Sequence, residues 1–134
     1  MTQREITQIG YDVVGAAIEV HRELGPGLLE SVCEESLLYE LGERGLLVER
    51  QVVFPVMYKG QVLKSRLVVD LVVEQSIILE LKNVKELHPV HTAQILSYMN
   101  VAKIPKGILI NFFTSNISRD TKHFVNDYYN ALAR

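Results

Sequence analysis

Residues 62–82, VLKSRLVVDLVVEQSIILELK, decide the fold of this chain. β-Branched and other apolar residues dominate the stretch and predict two strands, from Val62 to Glu74 and from Ile77 to Lys82, joined by a tight turn. The apolar density of the second strand predicts that it lies in the middle of a sheet. Because side chains alternate along a strand, Glu80 and Lys82 project from one face and the residue between them projects from the other.

A further extended segment precedes this stretch. The Val- and Phe-rich run from Val48 to Tyr58 predicts a strand, and Lys59-Gly60 predicts the turn that joins it to the strand beginning at Val62. Pro55 predicts a bulge or an edge position, because proline cannot donate a ladder hydrogen bond. The three strands therefore form a predicted meander.

Helical periodicity flanks the meander on both sides. Apolar residues recur at three- and four-residue steps from Ile6 to Val20, and Gly25-Pro26-Gly27 ends this helix near Leu24. A second helix is predicted over about residues 28–44, with most of its glutamates (Glu34, Glu35, Glu40 and Glu43) on the face opposite its apolar residues. The remaining predicted elements are a helix over Val90 to Ala102 that begins at Pro89, a buried strand over Gly107 to Asn111, and a final helix that Ser118 caps and that reaches Leu132.

The predicted order of elements is α-α-β-β-β-α-β-α. This order indicates an α/β fold with a mixed four-stranded sheet flanked by helices. With 134 residues, the chain has the length of one ordinary domain. No repeat, linker or low-complexity stretch divides it, so we expect a single domain over residues 1–134.

The composition is that of a soluble globular protein, with 48% apolar and 22% charged residues. The single cysteine, Cys33, can form neither an internal disulfide nor a thiolate zinc site, and its place on an apolar helix face predicts a core position. The sequence contains no apolar run of roughly 18 to 20 residues and no apolar signal-peptide core near its start. We therefore expect a cytoplasmic protein that does not contact the membrane.

The net charge of −2 conceals an uneven distribution along the chain. Residues 1–58 hold four Arg against nine Glu and one Asp, whereas residues 59–122 hold nine Lys or Arg against five Asp or Glu. The total argues against a protein that coats nucleic acid through bulk positive charge. The split indicates either a bipolar surface, with its basic side on the later part of the chain, or charges scattered over all faces.

Asp70 lies on the strand that precedes Glu80 and Lys82, so the hairpin register can bring all three side chains together. Two carboxylates beside an ammonium group are suited to a hard divalent cation such as Mg²⁺ or Mn²⁺ and to a water poised next to it. Such a set can hydrolyse a phosphodiester, which requires charge stabilisation and a hydroxide-like nucleophile. The alternative is that Glu80 and Lys82 are the polar end of a core strand and pair with each other in solvent.

The helix that follows Lys82 carries a second pair of polar side chains. Gln94 and Tyr98 are four residues apart and so share one helical face. An amide and a phenol hydroxyl can both reach a phosphate or a metal-bound water. The alternative is a surface glutamine beside a half-buried tyrosine.

The set Asp70, Glu80-Leu81-Lys82 and Gln94 to Tyr98 resembles the PD-(D/E)XK nuclease superfamily, whose restriction-endonuclease-like core runs α, β, β, β, α, β. The segment from Gly27 to Cys33, together with Ile18 to Pro26 before it, resembles the small bacterial proteins named for a G-x-x-E-x-x-Y motif, the GxxExxY family. Pro89-Val90-His91 and Leu109-Ile110-Asn111-Phe112 extend the similarity over nearly the whole chain.

This resemblance implies a role for each matching residue. Asp70 and Glu80 would ligate the metal, Lys82 would assist the water, and Glu30 on a core helix would complete the metal site. The backbone carbonyl of Leu81 is implied as a further ligand. Gln94 and Tyr98 match residues associated with nucleic-acid-processing branches.

Two positions depart from the family pattern. The motif tyrosine is Cys33 here, which removes a ring and a hydroxyl but keeps a small group that can be buried. The position two residues before the aspartate, often basic in the family, is Val68, and Arg66 is the nearest basic residue. Both departures affect expected substrate contacts rather than the proposed metal ligands.

Two functions therefore remain open from the sequence. The first is a Mg²⁺- or Mn²⁺-dependent nuclease that hydrolyses phosphodiester bonds of nucleic acid, with DNA favoured over RNA. The second is a non-catalytic binding or assembly module that retains the nuclease fold. Either function is compatible with a homodimer.

Overall fold

The computed structural model describes all residues from 1 to 134 and has an α/β fold. Its first half contains α1 (Gln3–Leu24), α2 (Glu30–Glu43), β1 (Val48–Tyr58) and β2 (Gln61–Val73). Its second half contains β3 (Ile77–Lys82), α3 (Pro89–Ala102), β4 (Lys106–Asn111), α4 (Ile117–Asp120), β5 (Lys122–Val125) and α5 (Asp127–Asn130). No helix is both long and apolar enough to cross a membrane.

The strands form one mixed sheet in the order β1-β2-β3-β4-β5. The first three strands are the predicted antiparallel meander, and α3 provides the crossover that sets β4 parallel to β3. β3 is the central strand and nearly all of it is buried, as its apolar density predicted. β1 is an edge strand, and its register shifts between Pro55 and Met57, which confirms the interpretation of Pro55.

The prediction of a final helix from Ser118 to Leu132 is wrong, and so is the predicted count of four strands. Residues 122–125 instead form β5, which pairs antiparallel with β4 and covers an edge that would otherwise be open. Two short helices replace the long one, because the side chains of Asn116 and Asn126 accept backbone hydrogen bonds that start α4 and α5. Asn116, not Ser118, therefore caps the first of them.

Each face of the sheet carries its own apolar core. The larger cluster lies between the sheet and α1 and α2, and it includes Leu37, Leu79 and Ile108. The smaller cluster lies between the sheet and α3, and it includes Ile78 and Ile95. β3 thus contributes alternate residues to the two cores.

The β1–β2 hairpin changes face at Gln51 and Asp70. The pairing of the two strands has a gap at these two residues, and Gln51 adopts a φ of 50°. Val48 packs against the larger core, whereas Val52 on the other side of the interruption packs against the smaller one. β2 pairs with β3 only over residues 71–73, so residues 52–69 form a two-stranded β-arm that leaves the sheet at Asp70.

Close contact between α3 and β4 makes Gly107 a position where alanine should destabilise the fold. A Cβ added there would lie 2.6 Å from Sδ of Met99 and 3.1 Å from the Ile95 side chain. We expect Gly107→Ala to lower the free energy of unfolding by about 1–3 kcal/mol in chemical denaturation.

Gly42→Ala is the matched control, because a Cβ there meets nothing within 4 Å and the residue is helical. We expect it to raise the free energy of unfolding by roughly 0.5–1 kcal/mol. Equal effects of the two substitutions would contradict this packing of α3 on β4.

Candidate active site

Asp70 and Glu80 lie side by side where the β2–β3 ladder ends. The last backbone pair joins Leu71 to Leu79. Beyond this pair, the two carboxylates accept hydrogen bonds from backbone N–H groups. Oε1 of Glu80 accepts the Asp70 N–H at 3.3 Å, and Oδ2 of Asp70 accepts the Leu81 N–H at 2.9 Å. Each carboxylate therefore satisfies a backbone group on the other strand with one oxygen and keeps its second oxygen outside the protein's hydrogen bonds.

Glu80 is held in an environment that disfavours its charge. Its side chain is buried, and this burial is the largest cause that raises the Glu80 pKa to about 8, followed by the negative charge of Asp70. The hydrogen bond from the Asp70 backbone and the charge of Lys82 act in the opposite direction, and the more distant Glu30 raises the pKa further. A cation placed here would relieve the repulsion between the carboxylates.

Lys82 shares the strand face of Glu80 and is half-buried. It lies near enough to influence the Glu80 pKa, but no ion pair within 4.0 Å joins the two side chains. The structure therefore does not contain the Glu80–Lys82 pair that the alternative interpretation required.

Glu30 reaches the same end of β3 from the first turn of α2. Its Oε1 accepts the backbone N–H of Asn83 at 3.2 Å, just after the strand ends. Glu30 and Asn83 also line an open cavity of about 410 Å³ together with Gly27, Leu28, Leu29 and Phe113. Oδ1 of Asn83 is buried and has no hydrogen-bond partner in the protein, which is uncommon for a buried acceptor.

Gln94 and Tyr98 share one face of α3, as their spacing predicted. Nε2 of Gln94 donates a hydrogen bond to the Tyr98 hydroxyl at 3.0 Å, and Tyr98 packs against the smaller core. Neither side chain hydrogen-bonds to Asp70, Glu80 or Lys82. They form a separate polar pair on the helix that covers the β3 face from which Glu80 and Lys82 project.

Leu81 and Cys33 are core residues. The Leu81 side chain is buried in the larger cluster, while its N–H holds the Asp70 carboxylate. Cys33 is also buried there, which confirms its predicted core position. Burial and, secondarily, the charge of Glu30 raise the pKa of the Cys33 thiol, so this cysteine is a poor nucleophile.

Two asparagines near the site were missed at the sequence level. Asn83 follows the E-x-K segment directly, and this adjacency was the only available signal. Asn111 is buried at the end of β4, where its amide bonds to the N–H and C=O of Val84 and to the N–H of Phe113. Asn111 thereby fixes the loop that leaves the site.

The structure also corrects the orientation of Glu34. This residue was expected on the polar face of α2 but is buried, with Oε1 accepting a 2.7 Å hydrogen bond from Nε2 of Gln51 and lying 3.4 Å from Nε of Arg50. Both partners belong to β1 at the point where the hairpin changes face. Helical spacing alone carries no signal for this contact, which depends on how β1 crosses α2.

The ligand chemistry of this site suits a hard divalent cation. Mg²⁺ and Mn²⁺ prefer oxygen ligands, and free carboxylate oxygens remain on Asp70 and Glu80. No group of three or more His, Cys, Asp or Glu side chains lies close enough together to hold a metal ion by itself. One or two carboxylates are the usual protein contribution to Mg²⁺, which keeps waters and takes phosphate oxygens as further ligands.

A comparison with family models finds a match over residues 7–124 to the PD-(D/E)XK nuclease superfamily. The chain belongs to this superfamily. The mixed sheet flanked by helices is consistent with its restriction-endonuclease-like fold, here with five strands. No curated protein and no solved structure gives a significant match. The narrower resemblance to the GxxExxY family stays a prediction.

The raised pKa of Glu80 predicts a pH-dependent loss of stability. The folded protein keeps the Glu80 proton up to about pH 8, whereas the unfolded chain releases it near the ordinary value of 4.5. Ionisation therefore destabilises the fold as the pH rises through this window. We expect Glu80→Gln to raise the Tm by at least roughly 3 °C at about pH 8.5 and to leave it nearly unchanged at about pH 5.

Calorimetry in EDTA checks this difference, since the other titrating groups are common to both proteins. Glu49→Gln removes an exposed carboxylate from β1 and should give no such pH-dependent gain. A Glu80→Gln effect of the same size at both pH values would contradict the burial argument.

Proposed function

We propose that this protein hydrolyses phosphodiester bonds of nucleic acid, with Mg²⁺ or Mn²⁺ bound at Asp70 and Glu80. The observation that carries the proposal is the pair of facing carboxylates, each held by a backbone N–H of the other strand and each with one free oxygen. Membership of a nuclease superfamily supports the same reaction class. A bound divalent cation would neutralise charge that develops on the phosphate and activate a water as nucleophile.

The other acidic and acceptor groups complete the site from the α2 side. Glu30 orients the end of β3 through its bond to the Asn83 N–H and adds negative charge close to Glu80. The Leu81 carbonyl is the remaining proposed ligand.

Lys82 acts on the reacting water or phosphate. Its ammonium group is half-buried and free of ion pairs, so its three N–H donors remain available. From the face shared with Glu80, Nζ donates a hydrogen bond to a non-bridging phosphate oxygen or to the attacking water. Its positive charge also offsets the charge that develops as the water oxygen bonds to phosphorus and the P–O bond to the leaving group breaks.

Gln94 and Tyr98 position the substrate. Because Nε2 of Gln94 donates to the Tyr98 oxygen, the hydroxyl hydrogen of Tyr98 is free to point at another acceptor. A phosphate oxygen is such an acceptor. Gln94 thus fixes the direction in which Tyr98 donates.

The β-arm supplies charge for the nucleic acid backbone. The β-arm, residues 52–69, contains Lys59, Lys64 and Arg66 and no acidic residue. All three side chains are exposed, and the arm begins at Asp70. We propose DNA rather than RNA as the substrate.

Nuclease activity should depend on the site residues and not on charge in general. We expect Asp70→Asn, Glu80→Gln and Lys82→Met each to lower the rate of Mn²⁺- or Mg²⁺-dependent cleavage by at least about 100-fold, the scale for losing a group that acts on the transition state. Glu49→Gln should cleave like the wild type. Labelled single- and double-stranded DNA and RNA are the substrates.

Binding of Mn²⁺ in the same proteins should accompany cleavage. If the wild type neither binds Mn²⁺ nor cleaves any of these substrates, or if Asp70→Asn cleaves as fast as wild type, the proposed function is wrong. Cleavage of RNA alone would overturn the choice of DNA.

The β-arm should contribute to affinity rather than to chemistry. We expect Lys64→Gln and Arg66→Gln each to weaken binding of an oligonucleotide and to reduce the slope of log K against log salt by about 1, the effect of one lost phosphate contact. Fluorescence anisotropy in Ca²⁺ or EDTA measures binding without turnover. Arg4→Gln removes one exposed positive charge from α1 and should leave the slope unchanged; an equal change there would show that only net charge matters.

A further inference from the structure

A second cavity lies on the α1 side of the sheet, at the opposite end of the central strands. It has a volume of about 610 Å³, and its basic lining residues are Arg44, Lys106 and His123. Lys106 starts β4 and is level with Ile77 at the start of β3, whereas the carboxylate site lies near the end of β3. No acidic residue lines the cavity.

Two glycines within α1 make room for its cationic side chains. A Cβ at Gly10 would lie 3.2 Å from Cε of Lys106, and one at Gly15 would lie 3.1 Å from Nη1 of Arg44. Glycine in the interior of a helix lowers helix stability relative to alanine. The two glycines thus allow a lysine and an arginine to approach the helix surface closely.

The basic groups of this cavity lack effective counter-ions. Lys106 is partly buried and makes no ion pair or side-chain hydrogen bond, and burial lowers its pKa. Burial and then the nearby Lys106 charge also lower the pKa of His123. Arg44 has only a long contact to Glu40, with 3.9 Å between Nη2 and Oε1. An anion in the cavity would relieve this repulsion.

The rest of the lining suits an oxyanion. Ser118 and Tyr11 contribute hydroxyl groups that make no hydrogen bond within the protein, whereas the Thr7 hydroxyl donates to the Gln3 carbonyl oxygen. An arginine and a lysine together supply a planar pair of donors and a point charge, which is the common combination for phosphate.

We propose that this cavity binds a phosphate-bearing ligand through Arg44, Lys106 and His123. The site is independent of the proposed nuclease centre, because it uses different residues and needs no metal ion. The phosphate group belongs either to a free small molecule or to the backbone of a nucleic acid strand.

Pyrophosphate is the probe, with binding measured by isothermal titration calorimetry in EDTA against sodium chloride of equal ionic strength. We expect saturable binding to the wild type and a dissociation constant at least about tenfold larger for Lys106→Gln, as expected for losing one charge-assisted contact. Lys122→Gln is the matched control, since this exposed lysine is also in the β4–β5 ladder but pairs with Leu109, which packs on the opposite face. Lys122→Gln and Asp70→Asn should bind like the wild type.

Gly10→Ala provides a second variant that does not remove a charge. Its Cβ would lie 3.2 Å from Cε of Lys106, so the end of the lysine side chain must shift by a few tenths of an ångström. We expect a folded protein that also binds pyrophosphate more weakly. No binding beyond the chloride control, or equal losses in Lys106→Gln and Lys122→Gln, would overturn the proposal.

Competition between pyrophosphate and an oligonucleotide distinguishes the two possible sources of the phosphate group. A single-stranded oligonucleotide that displaces pyrophosphate from the wild type, and binds more weakly to Lys106→Gln, would support a backbone phosphate. Pyrophosphate binding that the oligonucleotide does not affect would support a free small molecule.

Discussion

Two hydrogen bonds allow β2 to separate from β3 at Asp70: the Asp70 N–H donates to the Glu80 carboxylate, and the Leu81 N–H donates to the Asp70 carboxylate. A strand that separates from its neighbour exposes backbone donors, and a buried donor without a partner is costly. Here the two carboxylates accept the N–H groups of Asp70 and Leu81, so β2 can leave β3 at this point without that cost. The same two contacts place a pair of acidic oxygens at the junction. The direction of the β-arm and the composition of the candidate site therefore follow from one local arrangement.

This arrangement opposes stability, which is why it points to function. Two neighbouring carboxylates, one of them buried, repel each other, and an apolar pair at the same positions would pack without that penalty. Buried Glu34 supports the junction from α2 through Gln51, whose φ of 50° lets β1 follow the turn of β2. Polar groups that conflict with the apolar pattern of a core strand are expected at functional sites. The charged residues are also unevenly distributed on either side of this junction. The β-arm has only basic charged residues, whereas α1 and α2 carry most of the acidic residues.

Local patterns predicted most of the fold because most of its elements are locally determined. Apolar periodicity gave α1 to α3, β-branched runs gave β1 to β4, and alternation along β3 put Glu80 and Lys82 on one face. The prediction of a C-terminal helix was wrong because β5 forms through pairing with β4, a contact that its own sequence does not encode. Asn126 also starts a new short helix within the predicted one. Glu34, Asn83 and Asn111 were missed for a related reason: their roles depend on strand crossings and loop positions. The hairpin register that brings Asp70 to Glu80 could be anticipated only from the tight turn between their strands.

The ionisation of Glu80 tests this description of the junction most directly. The measurement is a pH titration of the Glu80 side-chain carboxyl ¹³C signal by NMR, first in EDTA and then with Mg²⁺, with Glu80→Gln used to assign the signal. Burial beside Asp70 predicts a pKa of about 8 without the cation, and a cation at the free oxygens predicts a lower pKa when Mg²⁺ is present. A pKa near the ordinary 4.5 in EDTA, or a raised pKa that Mg²⁺ does not change, would contradict a buried carboxylate pair built to hold a metal ion.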